Sequence, residues 1–160
     1  MEDEKYDVKQ VANWFLNKEQ MSHKKLQLLC FYAYEWYLYT CNDVEEGLFT
    51  RLFANDIEGW VHGPSSRKLS DAFPHSGADP LQPVEEYGDI PADDAGTCEF
   101  LEKIYATFGG FTASELEIMV CHEKPWIVSR KGLKSWEPGH TIISDDLMYS
   151  FCAEMNEDED

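Results

Sequence analysis

Residues 24–39 read Lys-Lys-Leu-Gln-Leu-Leu-Cys-Phe-Tyr-Ala-Tyr-Glu-Trp-Tyr-Leu-Tyr. Leu26, Leu29, Cys30, Ala33, Trp36 and Tyr37 recur at the spacing of one helix face, and Leu28, Phe31, Tyr32 and Leu38 carry the apolar surface well around the axis. A helix that is apolar nearly all round must be covered on every side, so this segment predicts a central buried helix. Burial of Trp36 predicts a loss of about 3–5 kcal/mol on Trp36→Ala.

Shorter helices surround it in the sequence. Asp7 with Gln10 forms a capping box for a helix over 8–17, carried by Val8, Val11, Ala12, Phe15 and Leu16, and Ser22 is positioned to cap the central helix. Residues 48–53 fit a short helix or a strand, and 57–61 a strand or an extended turn. Pro64, after Gly63, suits the first position of a helix carrying Leu69, Ala72 and Phe73. Residues 98–108 form a helix ended by Gly109-Gly110, and Thr112 with Glu115 caps the next. Lys124-Pro125-Trp126 starts a short helix ending near Gly132. Ser144 caps the last helix, with Leu147, Met148, Phe151, Cys152 and Met155 as its stripe. Between Pro74 and Gly96 four prolines and three glycines make one long irregular segment. The fold class is therefore mostly α: a compact single-domain helical bundle around a central buried helix, with a long irregular acidic loop and a possible short strand pair. The domain spans 1–155, and 156–160 form an acidic, frayed tail.

Length and composition agree. The chain has 160 residues, 43% hydrophobic and 14% aromatic, enough for one core without a metal or disulfide staple. It carries 13 Lys and Arg against 31 Asp and Glu, a formal net charge of −18. That balance opposes direct binding to nucleic acid, where cations must replace counterions on phosphate, and opposes an anionic membrane surface. It favours a basic protein partner. No run approaches the roughly 20 apolar residues of a membrane span, and the acidic start, Met-Glu-Asp-Glu-Lys, is unlike a signal peptide. The five cysteines include no C-x-x-C pair, as expected of buried thiols in a reducing cytoplasm.

The sequence holds no G-x-S-x-G, P-loop, G-x-G-x-x-G or H-E-x-x-H motif. Cys121-His122 are helix neighbours whose side chains diverge by about 100°, so they are no nucleophile–base pair. His62, His75, His122 and His140 lack ligand spacing. No catalytic residue, bound metal or cofactor is expected. Two features stand out instead. Between Lys68 and Lys103 there are nine carboxylates (Asp71, Asp79, Glu85, Glu86, Asp89, Asp93, Asp94, Glu99 and Glu102) and no Lys or Arg. Trp60, in Gly59-Trp60-Val61-His62-Gly63-Pro64, and Trp126 sit beside rigid turns, where a large ring serves either as a core corner or as an interface anchor. Trp60, His62, Trp126, Glu85, Glu86, Asp89, Asp93 and Asp94 are the candidate partner-binding residues.

Three ordered blocks resemble the Panacea (SocA-like) antitoxin family. Lys24 to Tyr37 is similar to its first signature. Leu52-Phe53 with Glu58 to Pro64 and Leu69 to Phe73 resembles its second, with Gly59 where the family has alanine. Glu115-Leu116 with His122-Glu123-Lys124-Pro125-Trp126 resembles its third. The resemblance covers about residues 6–155. It implies a helical, non-enzymatic antitoxin domain that neutralises a toxin by direct contact, or delivers it to a protease. An alternative from another class is a phage-encoded acidic inhibitor that mimics nucleic acid before a host enzyme or defence complex. A third is a hydrolase built on Cys121, His122 or His62.

Overall fold

The central segment is the helix α2, His23–Cys41, and its start is set by Ser22, whose hydroxyl accepts the Lys25 amide at 3.2 Å. The computed structural model describes residues 3–43, 45–47, 50–75, 77 and 79–159. Every side chain of α2 from His23 to Leu38 is buried except Lys24 and Trp36. An all-round apolar helix needs cover on all sides, and it gets it from α1 (Val8–Lys18), α4 (Ala95–Phe108), α5 (Ala113–Val120) and α7 (Asp145–Glu159). A β-hairpin of β3 (Ile57–Trp60) and β4 (Gly63–Ser66) crosses its N-terminal half. There the Gln27 amide group donates to the Ser66 carbonyl (3.1 Å) and accepts its N–H (2.8 Å). The molecule is mostly α.

Local signals hold where hydrogen bonds close within a few residues. The Asp7–Gln10 box starts α1, and the Thr112–Glu115 box starts α5. The Ser144 hydroxyl accepts the Leu147 amide (3.1 Å) at the start of α7. A second strand pair is parallel, β1 (Asp3–Glu4) with β2 (Thr50–Arg51), so the stretch read as helix or strand contains a short strand; Leu48 and Phe49 lie outside the described residues. Among the described residues no helix is long and apolar enough to cross a membrane.

Two expectations are corrected. Pro64 does not begin a helix. It lies in β4, which among the described residues has β3 as its one strand neighbour, and proline is tolerated on such an edge. The helix, α3 (Arg67–Ala72), begins after Ser66, whose hydroxyl accepts the Leu69 amide (3.2 Å), a cap that proline cannot supply. α7 runs on through residues 156–159 to Glu159, and Asp160 lies outside the described residues. Trp36 is only partly buried. It stands with Tyr37, Phe100, Ile104 and Phe108 along an open cleft between α2 and α4. Leu29, fully buried, is therefore the more sensitive position. Leu29→Ala is expected to cost about 3–5 kcal/mol and Trp36→Ala about 1–2 kcal/mol. Urea denaturation of both variants checks the order, and an equal or larger loss at Trp36 would place its ring in the core.

Among its described residues, the long segment before α4 contains a single helical element, the 3₁₀ turn Glu85–Tyr87. It is nonetheless pinned. The buried Asn13 side chain donates to the carbonyls of Val84 (2.7 Å) and Gly88 (2.8 Å) and accepts the Val84 amide (2.9 Å). Leu81 and Ile90 enter the core on either side.

Candidate functional site

Strand period places Glu58 and Trp60 on one face of β3. Glu58 is buried and accepts from the Trp60 indole N–H (2.9 Å), from Arg67 Nη2 (2.9 Å) and from His140 Nδ1 (3.0 Å). Burial alone would raise its carboxyl; the bonds from Arg67, Trp60 and His140 outweigh that and hold it at about 2. The Arg67 guanidinium also lies over the Trp60 ring, 5.3 Å from its centroid. Across the hairpin, Glu117 of α5 pairs with Lys24 through one oxygen and with His62 Nδ1 (3.1 Å) through the other. Burial opposes ionisation of Glu117, but Lys24 and His62 hold its carboxyl below the ordinary range.

Between these clusters lies a groove of about 600 Å³, floored by Leu28, Trp60 and Pro64 and flanked by stacked His23 and His75 (centroids 3.9 Å apart). Burial, followed by the neighbouring His75, pushes His23 down. The hairpin can sit this low because Gly63 has φ +131° and no Cβ; one placed there would meet Leu28 Cδ2 at 3.1 Å. Gly59 has the same role behind the hairpin, where a Cβ would fall 2.1 Å from Ser129 Oγ. This is why the chain carries glycine before Trp60.

Trp60 and His62 are thus brought together. Trp126 is not beside them in the groove: it stands behind the hairpin in α6 (Lys124–Ser129), donating its indole N–H to the Trp60 carbonyl (2.7 Å). The rigid-corner role accounts for it. Arg130 stacks on Trp126 at 5.3 Å.

The acidic candidates lie on the pinned segment. Glu85, Glu86 and Asp93 are exposed and make no ion pair among the described residues. Asp89 is exposed too, with Oδ1 3.5 Å from Asn17 Nδ2. Asp94 has a structural duty: it caps α4 through Thr97 and binds the Tyr6 hydroxyl and Lys5. The Tyr6 and Thr97 bonds hold its carboxyl at about 2. The fold also brings up cations that the linear reading did not place there. Lys9 covers the Tyr87 ring at 4.9 Å, and Lys18 pairs with Glu102.

Cys121 is partly buried, and burial, then Glu117, pushes its thiol up to about 11. His122 turns its Nδ1 to the Ile118 carbonyl (2.6 Å). Neither arrangement activates a thiol. Of the histidines considered as ligands, His62, His75 and His140 reach the groove and His122 does not. No group of three or more His, Cys, Asp or Glu among the described residues could hold a metal ion. Sequence reasoning missed Lys24, Glu58, Arg67 and Glu117. The Glu58-x-Trp60 alternation is the one local signal that could have drawn attention to Glu58; the others meet only through the fold. Comparison of the chain with protein-family models, with curated proteins and with solved structures finds no match.

Proposed function

We propose that this chain is a non-enzymatic, cytoplasmic protein-binding inhibitor of the antitoxin class, and that it neutralises a basic partner by direct contact. The observation that carries the reading is the pinned acidic segment. An irregular stretch of more than 20 residues in a compact domain is usually functional. Here it is ordered in advance by Asn13, Leu81 and Ile90, with Glu85, Glu86 and Asp93 turned outward. A pre-ordered surface loses little entropy on binding. The resemblance to the Panacea family and the net charge of −18 support the same reading. Unpaired cysteines suit a reducing compartment.

Exposed charges act over about 8–10 Å at ordinary salt, so these carboxylates set the encounter rate rather than the lifetime of the complex. Affinity capture from the native host supplies the partner, and association kinetics across a salt series test the mechanism. A Glu85→Gln, Glu86→Gln, Asp93→Asn variant, which spares the capping Asp94, is expected to associate about three- to ten-fold more slowly at low salt, with a flatter salt dependence. Capture of no stoichiometric protein would sink the proposal. An unchanged association rate would move the binding face elsewhere.

A further inference from the structure

The groove under the hairpin is chemically unlike the rest of this acidic molecule. Among the described residues that line it there is no Asp or Glu, yet it gathers Lys24, Arg67 and four of the five histidines. Its two anchoring carboxylates are not among the lining residues. Glu117 pairs with Lys24 Nζ and His62 Nδ1, and Glu58 with Arg67 Nη2 and His140 Nδ1. The side chains are still partly open to solvent: 77% of His62 is exposed, 65% of His140, 48% of Arg67 and 38% of Lys24. Carboxylate tethers of this kind fix the orientation of a basic side chain before any ligand arrives. The floor between the two pairs is apolar. The volume of about 600 Å³ lies in the range of small-molecule sites.

This is a rim of nitrogen donors over an apolar floor, and it calls for a ligand that is rich in acceptors and has a flat apolar body. The two pairs are not equivalent. Lys24 stands in the first turn of α2, a 19-residue helix whose positive end adds to the attraction for an anion. Arg67 and His140 border Trp60 and can meet acceptors on a ring edge. We propose that the groove binds a mononucleotide, with its phosphate on Lys24 and His62 and its heterocycle on the floor formed by Leu28, Trp60 and Pro64. A nucleic-acid polymer is disfavoured by the long-range field of the chain, whereas a single phosphate inside the groove meets local cations.

Titration calorimetry of the full chain with adenosine monophosphate, adenosine and inorganic phosphate tests this. The expected result is one saturable site for the nucleotide, about ten-fold or more tighter than for either half. His62→Gln and Lys24→Gln should reduce nucleotide affinity to that of adenosine and leave adenosine unchanged. Trp60→Leu, with folding checked by its thermal transition, should weaken the nucleotide and adenosine together. Glu85→Gln with Glu86→Gln should change none of these affinities, which separates the groove from the acidic segment. The proposal is overturned if the nucleotide shows no saturable binding, if phosphate alone binds as well, or if His62→Gln has no effect.

Discussion

Raising the pH from about 5 to about 8 is expected to cost this protein several kcal/mol of stability, beyond what its growing negative charge explains. The cause is in the middle of α2. Glu35 is 0% exposed, and neither carboxyl oxygen has a hydrogen-bond partner among the described residues. Burial, and then the neighbouring Glu123, pushes its carboxyl well above the ordinary range. Glu123 accepts the Tyr32 hydroxyl (3.0 Å), and burial raises it to about 7. Both groups keep their protons in the folded chain at pH values where the unfolded chain has released them. The native state therefore binds more protons, and stability falls as pH rises from the ordinary carboxylate value. Holding the Glu123 proton from an ordinary 4.5 up to about 7 corresponds to roughly 3 kcal/mol lost across that window. Glu35 extends the decline to higher pH. Glu58 and Asp94, both held at about 2, act in the opposite sense: their stabilisation is present above the ordinary carboxylate range and is lost as pH falls through it toward 2. Maximal stability is expected near pH 5. Chemical denaturation across pH measures it in the parent and in Glu35→Met, which replaces the acid with an apolar side chain of similar volume. The variant should be the more stable at pH 8 and should decline less. Parallel curves would show that general charge repulsion, not Glu35, sets the slope.

The second large effect is expected at Arg130. It is buried and has no carboxylate partner among the described residues. Its guanidinium instead donates to three carbonyls, those of Gly59 (2.9 Å), Lys134 (3.0 Å) and Glu137 (2.6 Å), while stacking on Trp126. It thus ties β3 to the turn after α6, and the Trp126 indole adds its own bond to Trp60. Arg130→Met leaves three carbonyls short of a donor and is expected to cost about 3–5 kcal/mol. Arg130→Lys should recover less than half of this, because one ammonium cannot reproduce a planar fork. Urea denaturation gives the magnitude, and the near-ultraviolet signal of the tryptophans reports the hairpin. A loss under about 1 kcal/mol in Arg130→Met would show that the hairpin stands without it.

Much of the scaffold was legible in the chain itself. The position of α2 follows from apolar residues on every side of a helical wheel, and the starts of α1, α2, α5 and α7 from Asp7, Ser22, Thr112 and Ser144. These signals are complete within one or two turns, since a cap and the amide it satisfies lie three residues apart. Pro64 misled because its fixed φ suits a helix start and an edge strand alike, and only the pairing of β4 with β3 chose between them. Trp36 misled because helical periodicity says which side chains are apolar, not whether a neighbouring helix closes over them.

The groove lies at the other limit. Lys24, Glu58, His62, Arg67, Glu117 and His140 come from α2, β3, the hairpin turn, α3, α5 and the segment before α7, and no spacing in the sequence announces that they meet. Likewise the carboxylates between Lys68 and Lys103 read as one uniform run, yet the fold assigns Asp94 to a helix cap and leaves Glu85, Glu86 and Asp93 to solvent. The sequence by itself determined the charge of −18, the buried central helix and most of the helix starts, because each depends on composition or on bonds closed within a few residues. Only the tertiary structure decided which charges are anchored and which are presented. That depends on contacts between residues as far apart as Glu58 and His140, which exist only once α2 has been covered and the hairpin has closed over it.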